Sequence, residues 1–171
     1  NGQWIDAPTA DGGKFRGYLS LPQQGTGPGL VLCQEIFGVN EGIRQLADLF
    51  AEEGYVVLAP DLFGRAEPAL ELDEADAPKA MAVAARFDPK LGVQDIGACV
   101  AALRDHPSCK GRIGVLGHCL GGRMAVLAAA AGLVDCAVSY YGVGIDVVLG
   151  QGGEVKVPMV LHLAGAGRLV K

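Results

Sequence analysis

Charged and aromatic side chains are scarce in this sequence. Of its 171 residues, 19% are charged and 6% aromatic. The 14 basic residues are scattered and the net charge is −5, which argues against a nucleic-acid or anionic-membrane partner. Long apolar runs are missing too. The longest strongly apolar stretch, Met124 to Val134, lies between Arg123 and Asp135 and is too short to span a bilayer. The first residues lack the basic-then-apolar pattern of a secretion signal. Five cysteines (33, 99, 109, 119 and 136) form no C-x-x-C pair and no regular spacing, so no disulfide framework is expected. Buried free thiols in a reducing, cytoplasmic setting are the reading. No metal is expected, because His118 and Cys119 are adjacent without further ligands nearby. No cofactor is called for, and there is no internal repeat or low-complexity linker to mark a second domain.

What the sequence has is apolar residues and glycine. Half the residues are hydrophobic, and the 26 glycines sit at the ends of apolar runs, as tight turns require. Apolar runs alternate with helical patterns, which predicts a single α/β domain over residues 1–171, with a mostly parallel sheet flanked by helices. Strands are expected at 15–21, 29–33, 55–59, 112–116, 136–140 and 159–163. Helices are expected at 41–53, capped by Asn40 and ended by Gly54, at 93–104, and from the turn after 116 to about 131. The first of these presents Ile43, Leu46, Ala47, Leu49 and Phe50 on one face; the second turns Ile96, Cys99, Val100 and Leu103 inward. The stretch 62–88 is acidic and Ala-rich, with a helical middle.

One turn carries chemistry. An apolar strand, then Gly117-His118-Cys119-Leu120-Gly121-Gly122, then a small-residue helix is the nucleophile-elbow pattern, with cysteine in the nucleophile's place. The turn is so tight that side chains at 117 and 121 would collide with the neighbouring strand and helix. Ala125, Ala128 and Ala129 let the helix lie close on the sheet. A helix N-terminus favours thiolate over thiol, and the Leu120 N–H is aimed at a developing oxyanion. A second N–H is expected from the loop after an earlier strand, around Ile36. A glycine-rich turn with an inert cysteine is the competing reading. A dinucleotide fingerprint is not met, since G-x-G-x-x-G is absent here.

These residues bring a resemblance. The blocks Gln34–Asn40 (QEIFGVN), Ala59–Leu62 (APDL), Gly117–Gly122 (GHCLGG) and Tyr140–Gly144 (YYGVG) resemble the dienelactone hydrolase family, in order and over nearly the whole chain. The resemblance implies an α/β-hydrolase fold and a hydrolase that opens small lactones or carboxylic esters through an acyl-enzyme. It makes Cys119 the nucleophile and Glu35 the internal carboxylate that pairs with the resting thiol. The Ile36 and Leu120 N–H groups match the family's oxyanion hole. Without the family, Glu35 reads as a solvated loop carboxylate. Tyr140 ends a strand where ligands bind in open α/β sheets, with core packing an equal alternative.

The sequence also departs from the family. In this architecture the triad acid and histidine follow the nucleophile. Gly167 stands where the acid is expected, in Gly165-Ala166-Gly167, and the family's histidine falls beyond Lys171. His118 lies inside the elbow, His162 within a strand, and His106 before Pro107 in a surface loop, so none replaces it. The final strand and helices are thus expected to be missing, and the 171-residue chain to turn over little or not at all. Lys79 and Arg86 are the cations available in 62–88 for an anionic substrate, neither at a matching position. Two other readings stand beside the hydrolase: a non-catalytic small-molecule binding or scaffold protein that kept the elbow, and a thiol redox sensor. Oligomeric state is not readable.

Overall fold

The computed structural model describes residues 2–140 and 156–162. Two short apolar stretches build the centre of its sheet. β3 (Gly27–Cys33) is buried from Gly29 onward and β4 (Val56–Pro60) along its whole length, as strands enclosed between helix layers must be. They pair in parallel, Leu30 beside Val57 and Val31 beside Leu58. β5 (Cys109–His118) flanks β3 on its other side, followed by β6 (Cys136–Tyr140) and β7 (Met159–His162), all parallel. Beyond β4 the direction reverses. β2 (Lys14–Ser20) runs antiparallel to β4, and β1 (Gln3–Pro8) antiparallel to β2. The order across the sheet is β1-β2-β4-β3-β5-β6-β7. This is the mostly parallel α/β architecture expected.

Helices cover both faces. α1 (Glu41–Glu52) begins where the Asn40 side chain accepts the Ile43 N–H at 3.2 Å and ends at Gly54, whose φ of +108° suits glycine. It lays Ile43, Ala47 and Ala51 against Leu30, Leu32, Val57 and Ala59. Leu49 does not join them: it is 56% exposed, and Ala51 takes the inner position one turn on. On the opposite face lie α3 (Pro89–Asp105) and α4 (Leu120–Ala130). Ile96, Cys99, Val100 and Leu103 of α3 are buried there, as are Ala125, Ala128 and Ala129 of α4. α3 starts four residues before the apolar periodicity does. The Asp88 side chain accepts the Lys90 N–H at 2.9 Å, and Pro89 follows at the first turn, where its missing N–H costs nothing.

β1 has no counterpart among the strands read from sequence. Of its six residues just Ala7 is fully buried, so no alternation betrays it. It is held from outside its own sequence. Trp4 meets Tyr18 edge-on with ring centroids 5.5 Å apart, and the Arg16 guanidinium lies 3.5 Å over the Trp4 ring.

The segment following β4 folds back over the strand ends as a strap. Asp61 is buried, and its Oδ2 accepts the Ala69 N–H at 2.8 Å; burial raises this carboxyl above its usual range. Phe63, Leu70 and Val83 of α2 (Ala77–Ala85) form a small core beneath the strap. Arg65 pins it. The guanidinium makes two bonds to buried Asp95 of α3, at 2.8 and 3.0 Å, and a third to Asp11 in the β1–β2 turn at 2.8 Å. Arg65→Ala would leave Asp95 buried and unpaired. We expect a loss of about 3 kcal/mol, a fall in Tm of about 6–12 °C for a chain of this size. A thermal melt with a shift under about 2 °C would show that the pair does not hold the strap.

Candidate active site

Parallel strands bring three chain segments to one end of the sheet. Cys33 pairs with Gly117, Gly117 with Ser139, and His118 with Tyr140, so the loops after β3, β5 and β6 leave side by side. The turn between β5 and α4 stands in the middle. Cys119 has φ +54° and ψ −121°, a conformation that costs an L-residue on the order of 1–3 kcal/mol. It persists because the surroundings fix both ends. The Cys119 N–H donates to the Tyr140 carbonyl at 2.9 Å, and its own carbonyl accepts the Arg123 N–H at 3.2 Å to begin α4. The thiol makes no capping bond to the helix.

The glycines are needed for close approach, as the elbow pattern predicts. A Cβ on Gly117 would lie 2.2 Å from the carbonyl carbon and oxygen of Gly121. One on Gly121 would lie 2.5 Å from the Gln34 carbonyl oxygen and 2.8 Å from that of Cys33. α4 therefore presses its first turn directly onto the end of β3. The Ser139 hydroxyl, buried in β6, donates to the Gly122 carbonyl at 2.8 Å and holds the helix from the other side.

The loop after β3 carries Glu35 and Ile36, both half-buried. Glu35 pairs with Gly38 in an isolated bridge, and Gly38 pairs in turn with Glu71 of the strap. The Leu72 N–H donates to the Phe37 carbonyl at 2.9 Å, and the Asn40 side chain donates to the Leu72 carbonyl at 3.0 Å. Glu35 and His118 line one cleft of about 390 Å³ together with Phe37, Asn40, Ile43, Leu46, Asp73 and Glu74. Cys119 is the next residue after His118 in the chain. Leu120 opens α4, where first-turn N–H groups have no partner within the helix, and its side chain packs toward the Phe63–Leu70–Val83 core. Tyr140 is half-buried with its ring stacked on His118, centroids 4.5 Å apart and planes 10° apart. The five residues singled out from sequence thus lie at this one end of the sheet: Glu35 and Ile36 on the loop after β3, Cys119 and Leu120 at the β5–α4 turn, and Tyr140 at the end of β6.

Other expectations resolve differently. Lys79 and Arg86 both pair with Glu67, at 3.2 and 3.6 Å, on the outer surface of the strap. His106 Nδ1 accepts the Ser108 N–H at 3.1 Å just before β5 begins, at the far end of that strand from Cys119. The backbone of His162 pairs with Tyr140. Residues 141–144, the Gly165–Gly167 segment and the end of the last expected strand lie outside the described residues. The five cysteines are free; Cys33, Cys99 and Cys109 are buried. Burial alone pushes the Cys33 thiol up to about 12; burial first, then the neighbouring Cys33 and Asp95, raise Cys99 as well. No metal-binding cluster and no helix long and apolar enough to cross a membrane occur among the described residues.

Two features escaped the sequence reading. One is the His118–Tyr140 stack; the other is Gln34, which is fully buried although it is polar. A glutamine placed directly after an apolar strand was the available signal.

The dienelactone hydrolase family model matches residues 15–171. The chain belongs to the dienelactone hydrolase family. Its members by name include the carboxymethylenebutenolidase of Pseudomonas putida, 37% identical over 169 residues, which cover 97% of this chain and 72% of that one. A second carboxymethylenebutenolidase, from another Pseudomonas strain, is 42% identical over 155 residues, covering 89% of this chain and 65% of that protein. Among solved structures, a dienelactone hydrolase-like promiscuous phosphotriesterase from metagenomic libraries superposes with a TM-score of 0.77 at 20% identity, over 99% of this chain and 72% of that one. The dienelactone hydrolase of Anabaena variabilis gives 0.70 at 22% identity, over 96% and 74%. These two establish the shared α/β-hydrolase fold. As a member of the dienelactone hydrolase family, the chain is of the carboxylic-ester hydrolase type, acting on lactones or esters.

Proposed function

We propose that Cys119 is the nucleophile for opening a small lactone or carboxylic ester. The observation that carries this reading is the positive φ of Cys119 at the junction of β5 and α4, fixed by the Tyr140 carbonyl. Strained backbone of this kind persists where the fold over-determines it, and here it lifts the sulfur clear of the turn at a helix N-terminus. The thiolate attacks the carbonyl carbon, and the electron pair of the C=O bond moves to oxygen. The Ile36 and Leu120 N–H groups receive that oxyanion. Its collapse re-forms the C=O bond and expels the alkoxide, which stays attached through the chain when the substrate is a lactone. A thioester on Cys119 remains, and attack by water returns the acid and the thiol. Glu35, on the loop after β3, takes the thiol proton when substrate binds, and that proton passes to the departing alkoxide. Tyr140, stacked on His118, forms part of the wall against which the substrate rests. The reaction as written consumes water alone and needs no redox partner.

The test is acylation rather than turnover. The 171-residue chain incubated with p-nitrophenyl acetate is expected to gain one acetyl group by intact mass, located by peptide mapping on Cys119. Iodoacetamide should alkylate the same residue, with Cys33, Cys99 and Cys109 protected by burial and any reaction at half-buried Cys136 told apart by peptide mapping. A scaffold would give no adduct, and a redox sensor would form a sulfenate with dilute peroxide but no acyl product. Either result would remove the hydrolase reading of Cys119.

A further inference from the structure

Gln34 is fully buried between the end of β3 and the strap, and both ends of its amide are occupied. The Oε1 accepts the Leu62 N–H at 2.9 Å. The Nε2 donates to the carbonyl oxygen of Glu35 at 3.1 Å. That carbonyl belongs to the peptide whose N–H is that of Ile36. The described residues contain no cis peptide bonds, and in a trans peptide C=O and N–H point in opposite directions. Drawing the Glu35 oxygen toward the Gln34 side chain therefore turns the Ile36 N–H to the opposite side of the loop.

The backbone of the same residue faces α4. Gly121 approaches so closely that an added Cβ would lie 2.5 Å from the Gln34 carbonyl oxygen. One residue thus touches both donors' supports, the first turn of α4 that holds Leu120 and the peptide plane that holds Ile36. We propose that Gln34 is a positioning residue for the oxyanion hole, setting the Ile36 N–H through its Nε2 bond to the Glu35 carbonyl. The inference rests on Cys119 being an acylated nucleophile. Closing the strap does not by itself account for the donor end of the amide, because the Leu62 N–H needs an acceptor alone. Among the described residues the donor end bonds the Glu35 carbonyl.

Two reactions at one sulfur separate positioning from support. Acylation by p-nitrophenyl acetate builds an oxyanion. Alkylation by iodoacetamide displaces iodide at a saturated carbon and builds none. Gln34→Met loses both bonds at similar volume; Gln34→Glu keeps the size and the acceptor for Leu62 and, because burial favours the protonated carboxyl, loses the donor once the pH is high enough to ionise it. Removing a whole oxyanion donor costs roughly 10²–10³-fold. A donor that is merely left unaimed should cost less, and we expect acylation of Cys119 to slow by about 10–100-fold in both variants, Gln34→Glu being read at a pH that ionises it. The loss should appear in the maximal acylation rate, with half-saturation by the ester little changed. Alkylation should stay within about threefold of the parent chain, since no oxyanion forms in it. Should Gln34→Met fail to fold, Gln34→Glu carries the comparison alone. Unchanged acylation in a folded variant would overturn the proposal, and so would acylation and alkylation falling together. Absence of any Cys119 adduct in the parent chain would instead remove the nucleophile reading, and this inference with it.

Discussion

Replacing Cys119 with glycine is expected to abolish acyl transfer while raising thermal stability. The two effects have separate causes. Acylation should fall by roughly a thousandfold or more, because the covalent route is gone and the oxyanion donors alone remain. Stability should rise because φ +54°, ψ −121° is open to glycine and strained for any residue with a Cβ. Relief of about 1–3 kcal/mol is set against about 0.5–1 kcal/mol for the greater freedom of glycine in the unfolded chain. The net gain is on the order of 1 kcal/mol, a rise in Tm of about 2–4 °C. Cys119→Ala is the control: it loses the sulfur and keeps the Cβ, so it should lose the activity and gain no stability. Paired thermal melts decide the point. A glycine variant melting below the alanine variant would mean that no strain is stored at this residue.

Gly117→Ala should have the largest effect on folding of any single methyl group added at the elbow. Its Cβ would stand 2.2 Å from the Gly121 carbonyl, far inside contact distance, and neither backbone is free to withdraw. Gly117 is paired on one side with Cys33 and on the other with Ser139, while Gly121 is against the Gln34 and Cys33 carbonyls. Side chains can repack around an extra methyl; two hydrogen-bonded backbones cannot. We expect a loss of more than about 4 kcal/mol, seen as a Tm lower by about 8–16 °C or as failure to recover folded chain. Gly12→Ala gives the scale. Gly12 has φ +84°, but nothing lies within 4 Å of an added Cβ, so strain alone should cost about 1–2 kcal/mol. Equal losses at the two positions would show that the close approach at the elbow carries no special cost.

The elbow was legible in the sequence because its requirements are local. Strand, tight turn, small-residue helix and the glycines between them fall within about twenty consecutive residues, and each is imposed by its immediate neighbours. α3 was legible in its middle and not at its start, because apolar periodicity marks what a helix buries while Asp88 and Pro89 mark where it begins. β1 was hidden for a different reason. An edge strand buries little, and Trp4 is held by Arg16 and Tyr18 across the hairpin rather than by a pattern of its own. Lys79 and Arg86 looked available for a substrate because sequence does not show that Glu67 lies within reach of both. Gln34 was quoted as part of a motif and given no role, since Leu62 is 28 residues away and the bond between them exists once the strap has folded back. Resemblance supplied the role of Glu35; spacing alone left it a loop carboxylate.

The bond from the Cys119 N–H to the Tyr140 carbonyl has a consequence for the order in which the molecule is made. Synthesis proceeds from the N-terminus, and β3, β4, β5 and α4 are all complete before Tyr140 is added. Until then the turn at 119 lacks one of the two backbone bonds that hold it, the other being the Arg123 N–H to the Cys119 carbonyl. The hydrogen bonding of the elbow is therefore complete when β6 pairs beside β5.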